Sequence, residues 1–112
     1  MKKIEAIIRP EKVNSVIRAL EEAGYHGVTV FEVAGHGRQR GHADWSGEGQ
    51  EVQLRPKAML VIVVKSSDLE KIMQAILETA KTDKVGDGKI FVTDLSDAAR
   101  IRTAERGEKA IG

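Results

Sequence analysis

Two stretches of helical apolar periodicity each sit between stretches that read as strands, which leaves few folds open to a chain of 112 residues. Residues 2–9 alternate, with Lys3 and Glu5 set against Ile4, Ala6 and Ile8, as in a strand with one buried face. Pro10 breaks that pattern and opens a helix. Val13, Val16, Ile17 and Leu20 then recur at helical spacing, and Gly24 is the natural stop. Residues 28–33 are β-branched and aromatic, a second strand. Residues 59–64 are continuously apolar and read as a strand buried on both faces. Ser67-Asp68-Leu69-Glu70 matches a capping box with Ser67 as the cap. Leu69, Ile72, Met73, Ile76, Leu77 and Ala80 form one helical stripe, and residues 89–93 close the pattern as a fourth strand.

The order β-α-β-β-α-β predicts a single α+β domain over residues 1–112, with a ferredoxin-like antiparallel four-stranded sheet and both helices on one face. Ile4, Ile8, Val61 and Val63 cannot all lie beneath two helices, so the other face calls for cover from an oligomer. Between residues 35 and 55 the apolar pattern stops. Gly35, Gly37, Gly41, Gly47 and Gly49 fall among mostly polar residues there, and a gap of that length in a small domain marks a functional loop. The tail, residues 96–112, has weak periodicity.

Composition narrows the function classes. The net charge of +1 supplies no broad basic field for nucleic acid. With no cysteine, disulfides, thiolate metal sites and cysteine catalysis are excluded, and the chain fits a reducing cytoplasm. The longest apolar run, residues 58–64, is too short to insert across a membrane. No nucleophile–base–orienter set stands out, so an enzyme is not expected.

Three segments suit polyphosphate. Gly86-Asp87-Gly88-Lys89 reads either as a plain turn into a strand or as a cradle whose backbone N–H groups approach an anion. Gly35-His36-Gly37-Arg38-Gln39-Arg40-Gly41 lacks the third glycine of a dinucleotide fingerprint and leads into a loop. It is a solvated loop or a basic phosphate contact. Arg100-Ile101-Arg102, on a strand-like segment, puts both guanidiniums on one side, as surface charge or as a phosphate fork. His26, His36 and His42 lack ligand spacing. Trp45 sits in the polar loop as a binding anchor or folded onto the loop.

Taken together the chain resembles the PII signal-transduction family. The resemblance rests on Met1-Lys2-Lys3-Ile4-Glu5-Ala6-Ile7-Ile8-Arg9-Pro10 and Gly37-Arg38-Gln39-Arg40-Gly41-His42. It rests also on Thr82-Asp83-Lys84-Val85-Gly86-Asp87-Gly88-Lys89-Ile90-Phe91-Val92 and Arg100-Ile101-Arg102-Thr103. It implies a homotrimer that binds ATP or ADP in clefts between subunits. The implied nucleotide residues are Thr29, Gly35, Gly37, Arg38, Gln39, Val63, Gly86, Asp87, Gly88, Lys89, Arg100 and Arg102. Thr29 and Val63 lie toward the base, and the two arginines come from the neighbouring subunit. It implies 2-oxoglutarate as effector beside ATP, through Arg9, Gln39, Arg40, Gly41 and Lys57, with Gln39 helping to hold Mg²⁺. The loop 37–55 would contact targets such as an ammonium transporter or another transporter, or a nitrogen-metabolism enzyme or regulator.

Three departures from the family pattern shape the expectation. The loop tyrosine that accepts a uridylyl group is absent, leaving Ser46 as the only hydroxyl side chain between Gly35 and Arg55. The loop is one residue shorter, and Val61 stands where many members carry glutamate. These fit a divergent PII paralogue in metal or other transport regulation. The competing classes are a slow ATPase using Lys89 and the arginines, and a metal-tolerance protein of similar trimeric fold binding ions through the histidines.

Overall fold

The computed structural model describes residues 1–37 and 53–112. Strand β1 (Lys2–Ile8) leads through a 3-10 turn at Pro10–Lys12 into helix α1 (Val13–Glu22) and strand β2 (Thr29–Gly35). Strand β3 (Arg55–Val64), a 3-10 turn at Ser66–Asp68, helix α2 (Leu69–Ala80) and strand β4 (Lys89–Asp94) repeat that sequence of elements. The four strands form one antiparallel sheet in the order β2-β3-β1-β4, the ferredoxin-like arrangement.

The core follows from period-two and period-3.6 patterning meeting on one side of the sheet. Ile4, Ala6 and Ile8 of β1 and Ala58, Leu60, Ile62 and Val64 of β3 are buried with Val16 and Leu20 of α1 and Ile72, Ile76 and Ala80 of α2. Each large aliphatic side chain buried this way stabilises the fold by roughly 1.5–3 kcal/mol. Helix α1 ends where the sequence predicts. Gly24 takes φ +94, the Tyr25 N–H donates to the Leu20 carbonyl, and the Gly24 N–H donates to the Glu21 carbonyl. That pair of bonds satisfies carbonyls the helix would otherwise leave open.

Three expectations change. Strand β3 is not buried on both faces: Met59, Val61 and Val63 are only half-buried, facing away from the helices with the exposed Phe31 and Phe91. Ile4 and Ile8, by contrast, lie wholly under the helices, so the uncovered apolar residues are those of the opposite face. The capping box does not form. Ser67 lies inside the 3-10 turn, and Asp68 precedes α2 without a side-chain cap bond. The Asp68 carboxylate instead accepts a hydrogen bond from the Tyr25 hydroxyl at 2.5 Å, a contact that joins the end of α1 to the start of α2.

Arg100-Ile101-Arg102 is not strand-like either. Residues 101–103 form a turn between the bridged Ala99 and Arg106, so the two arginines are not held on one side by alternation.

Candidate functional site

The antiparallel register brings the ends of β1 and β2 and the starts of β3 and β4 to one edge of the sheet. Ile8 pairs with Ala58, Gly35 with Arg55, and Ile7 with Lys89. A cleft of about 700 Å³ opens there. Gly35, His36 and Gly37 form one wall and residues 84–88 the other, with Ile7, Lys57, Lys89 and Phe91 between them. Six of the residues the sequence points to for nucleotide, Gly35, Gly37, Gly86, Asp87, Gly88 and Lys89, are thus neighbours, together with the effector candidate Lys57.

The glycine turn is tightly specified. Gly88 has φ +103, and a Cβ built on it would stand 1.7 Å from the Ile7 carbonyl oxygen, so no side chain fits. Asp87 organises the turn with its side chain. Its Oδ2 accepts the N–H groups of Thr82 at 2.8 Å and Asp83 at 3.0 Å. Its Oδ1 accepts Arg9 Nε at 2.9 Å and the Thr82 hydroxyl. Partial burial pushes the Asp87 carboxyl up, but the bonds from Thr82, Arg9 and Asp83 outweigh it and hold the group well below the usual carboxylate range.

The two cations assigned to the effector also reach this turn. Arg9 Nη2 donates to the Val85 carbonyl at 3.0 Å, and Lys57 Nζ donates to the Gly86 carbonyl at 2.5 Å. Burial, and then the charge of Arg9, push the Lys57 ammonium down from its ordinary value.

Thr29, Val63 and Arg100 are elsewhere. They line a second cleft, of about 390 Å³, with Tyr25, Val61 and the segment 110–112. Register places it toward the other end of the strands, since Thr29 pairs with Val61 and Lys3 with Val63. Arg100 is held there by Glu105 at 3.1 Å and by the Gly112 carbonyl at 3.0 Å. Arg102 is exposed and lines neither cleft. Arg38, Gln39, Arg40 and Gly41, with His42, Trp45 and Ser46, lie outside the described residues.

Ile7, Phe91 and Lys84 are cleft residues that sequence reasoning missed. Ile7 and Phe91 share the face of Lys89 by strand parity, a signal that becomes usable once the β1–β4 register is known. Among the described residues no group of three His, Asp or Glu side chains is placed to hold a metal ion, and no helix is long and apolar enough to cross a membrane.

Comparison with known proteins agrees with this architecture. The family model described as nitrogen regulatory protein P-II matches residues 1–105. Nitrogen regulatory protein P-II 1 of Methanothermobacter thermautotrophicus is 54% identical over 112 residues, covering 99% of this chain and 97% of the relative. The P-II protein of Pasteurella multocida is 48% identical, covering 99% and 100%. The solved structure of Arabidopsis thaliana PII bound to citrate superposes with a TM-score of 0.82 at 41% identity, covering 98% of this chain and 88% of that one.

Proposed function

The chain belongs to the nitrogen regulatory protein P-II family, and from that premise we propose that it is a signal-transduction regulator that binds ATP or ADP and acts on target proteins. The observation that carries the nucleotide reading is the cleft itself. Two glycine-bearing walls face each other with Lys57, Lys84 and Lys89 around them. Glycine backbone lets N–H groups approach phosphate closely, and the ammonium groups offset its charge. Arg38 and Gln39 follow Gly37 directly in the sequence and are proposed as further nucleotide contacts. Mg²⁺, which Gln39 would help to hold, would neutralise phosphate charge beside 2-oxoglutarate, the proposed effector. The citrate bound by the Arabidopsis protein, a small polycarboxylate, supports an effector of that chemistry.

Lys89→Ala is expected to weaken ATP binding about tenfold or more, the scale of one charge-assisted contact. Calorimetry on the two proteins checks this, and equal affinities would remove Lys89 from the site.

The proposed assembly is the homotrimer that the family resemblance implies, and two observations support an oligomer. The sheet face opposite the helices carries Phe31, Met59, Val61, Val63 and Phe91 without cover. The predicted nucleotide residues are also divided between two clefts of one chain, so a single site needs two subunits to bring the halves together. Sedimentation at micromolar concentration is expected to give three times the chain mass, and a stable monomer would overturn the proposal. Targets of the kind regulated in nitrogen metabolism, a transporter, an enzyme or a regulator, would be contacted through the loop 37–55.

A further inference from the structure

We infer that Lys57 and Arg9 are positioning residues of the nucleotide cleft: each holds one carbonyl of the glycine turn, and together they fix the direction of two consecutive turn N–H groups. The inference rests on the nucleotide reading above and gives these two cations a role on the nucleotide site itself.

Arg9 Nη2 donates to the Val85 carbonyl and Lys57 Nζ to the Gly86 carbonyl, so neighbouring peptide groups are each pinned by a cation. A trans peptide is planar, with its N–H opposite its C=O. Pinning the Val85 carbonyl therefore points the Gly86 N–H away from Arg9, and pinning the Gly86 carbonyl points the Asp87 N–H away from Lys57. No peptide bond among the described residues is cis.

Something has to do this work, because Gly86 lies at φ +106, and a glycine, which tolerates either sign of φ, permits both orientations of the peptide that precedes it, the one whose carbonyl Arg9 holds. Turn N–H groups attract a phosphate and turn carbonyl oxygens repel it, so the orientation of these peptides bears on nucleotide binding. Arg9 is itself fixed at a second point, since its Nε donates to Asp87 Oδ1 at 2.9 Å.

Lys57 is well placed to hold its carbonyl. It pairs with Val33 in the sheet, and its Cγ is 3.4 Å from where a Cβ on Gly35 would stand. Its stem thus runs along one glycine wall of the cleft while its ammonium grips the other. The residue before it is Pro56, the second residue of β3, whose ring fixes φ and stiffens the start of the strand.

Lys57→Met keeps most of the stem and removes the donor, and Lys57→Arg restores a donor. In nucleotide-free protein, Lys57→Met is expected to shift the amide resonances of Gly86 and Asp87 while the fold's other amides stay in place. It is expected to weaken ATP and ADP binding alike by about tenfold, the scale of one charge-assisted contact, with Lys57→Arg recovering most of the loss. A general charge effect would instead weaken ATP more than ADP and vanish at high salt. Unmoved Gly86 and Asp87 amides in Lys57→Met would overturn the inference, as would wild-type nucleotide affinity in that variant. If the unmodified protein binds neither nucleotide, the functional reading fails and takes the nucleotide role of Lys57 with it. Shifted amides would then leave only the holding of the turn.

Discussion

Gly88→Ala is expected to destabilise the protein by about 3 kcal/mol or more, and to displace the start of β4. Two costs add at this position. A left-handed backbone costs an L-residue about 1–2 kcal/mol. The new methyl would also sit 1.7 Å from the Ile7 carbonyl oxygen and 2.8 Å from its carbon, and those are backbone atoms of a central strand that cannot rotate aside. Overpacking of that kind costs roughly a further 1–3 kcal/mol. Gly24→Ala is the control. Gly24 has φ +94, but nothing lies within 4 Å of its would-be Cβ, so it carries the backbone cost alone, about 1 kcal/mol. Urea unfolding of the two variants separates clash from strain. A Gly88→Ala loss no larger than that of Gly24→Ala would mean that β1 and the turn move apart freely.

Asp87→Asn is expected to cost about 2–3 kcal/mol at neutral pH and progressively less in acid. All four groups that bond to the Asp87 carboxylate donate to it: two backbone N–H groups, the Thr82 hydroxyl and Arg9. An amide places its own N–H₂ against some of those donors whichever way it is turned. The pH dependence follows from the depressed carboxyl. Its contribution is complete above the unfolded value, near pH 3.9, and is lost as pH falls toward the folded value. The gap between the two proteins should therefore begin to close below about pH 4, by about 1.4 kcal/mol per pH unit at most. Denaturant midpoints at pH 7, 4 and 2.5 test this, and a gap that stays constant to pH 2.5 would assign the cost to shape and not to charge.

What could be read from the sequence was local. The alternation of Ile4, Ala6 and Ile8 fixes which face of β1 is buried, and Gly24 fixes the end of α1, because both depend on neighbours within a few positions. Residues 86–89 were legible as a glycine turn entering a strand for the same reason. The failures involve distant partners. Ser67 satisfies the local rule for a cap, yet Asp68 is taken by Tyr25, 43 positions away. Val61 and Val63 look like the core of a doubly covered strand because apolar character alone does not distinguish a face under helices from the half-exposed face opposite. Where Thr29, Val63 and Arg100 lie relative to the glycine turn was likewise not legible, because that placement is set by strand order, which no single segment encodes. Nor does local pattern show that Arg9 reaches Asp87 across 78 positions.

The strand order also governs how the chain acquires its structure. β1 is the first strand made and lies between β3 and β4, pairing Lys2 with Val64 on one side and with Asp94 on the other. Chain neighbours β1 and β2 never pair directly. An emerging polypeptide therefore holds an apolar strand, Ile4 through Ile8, whose hydrogen-bonding partners are still to be synthesised. Such long closures must be completed before the contacts they bring can reward them, which slows folding compared with a sheet of successive hairpins. Until β3 arrives, the early half of this protein is a sticky edge, and the interval before its release is the period in which it is most open to aggregation.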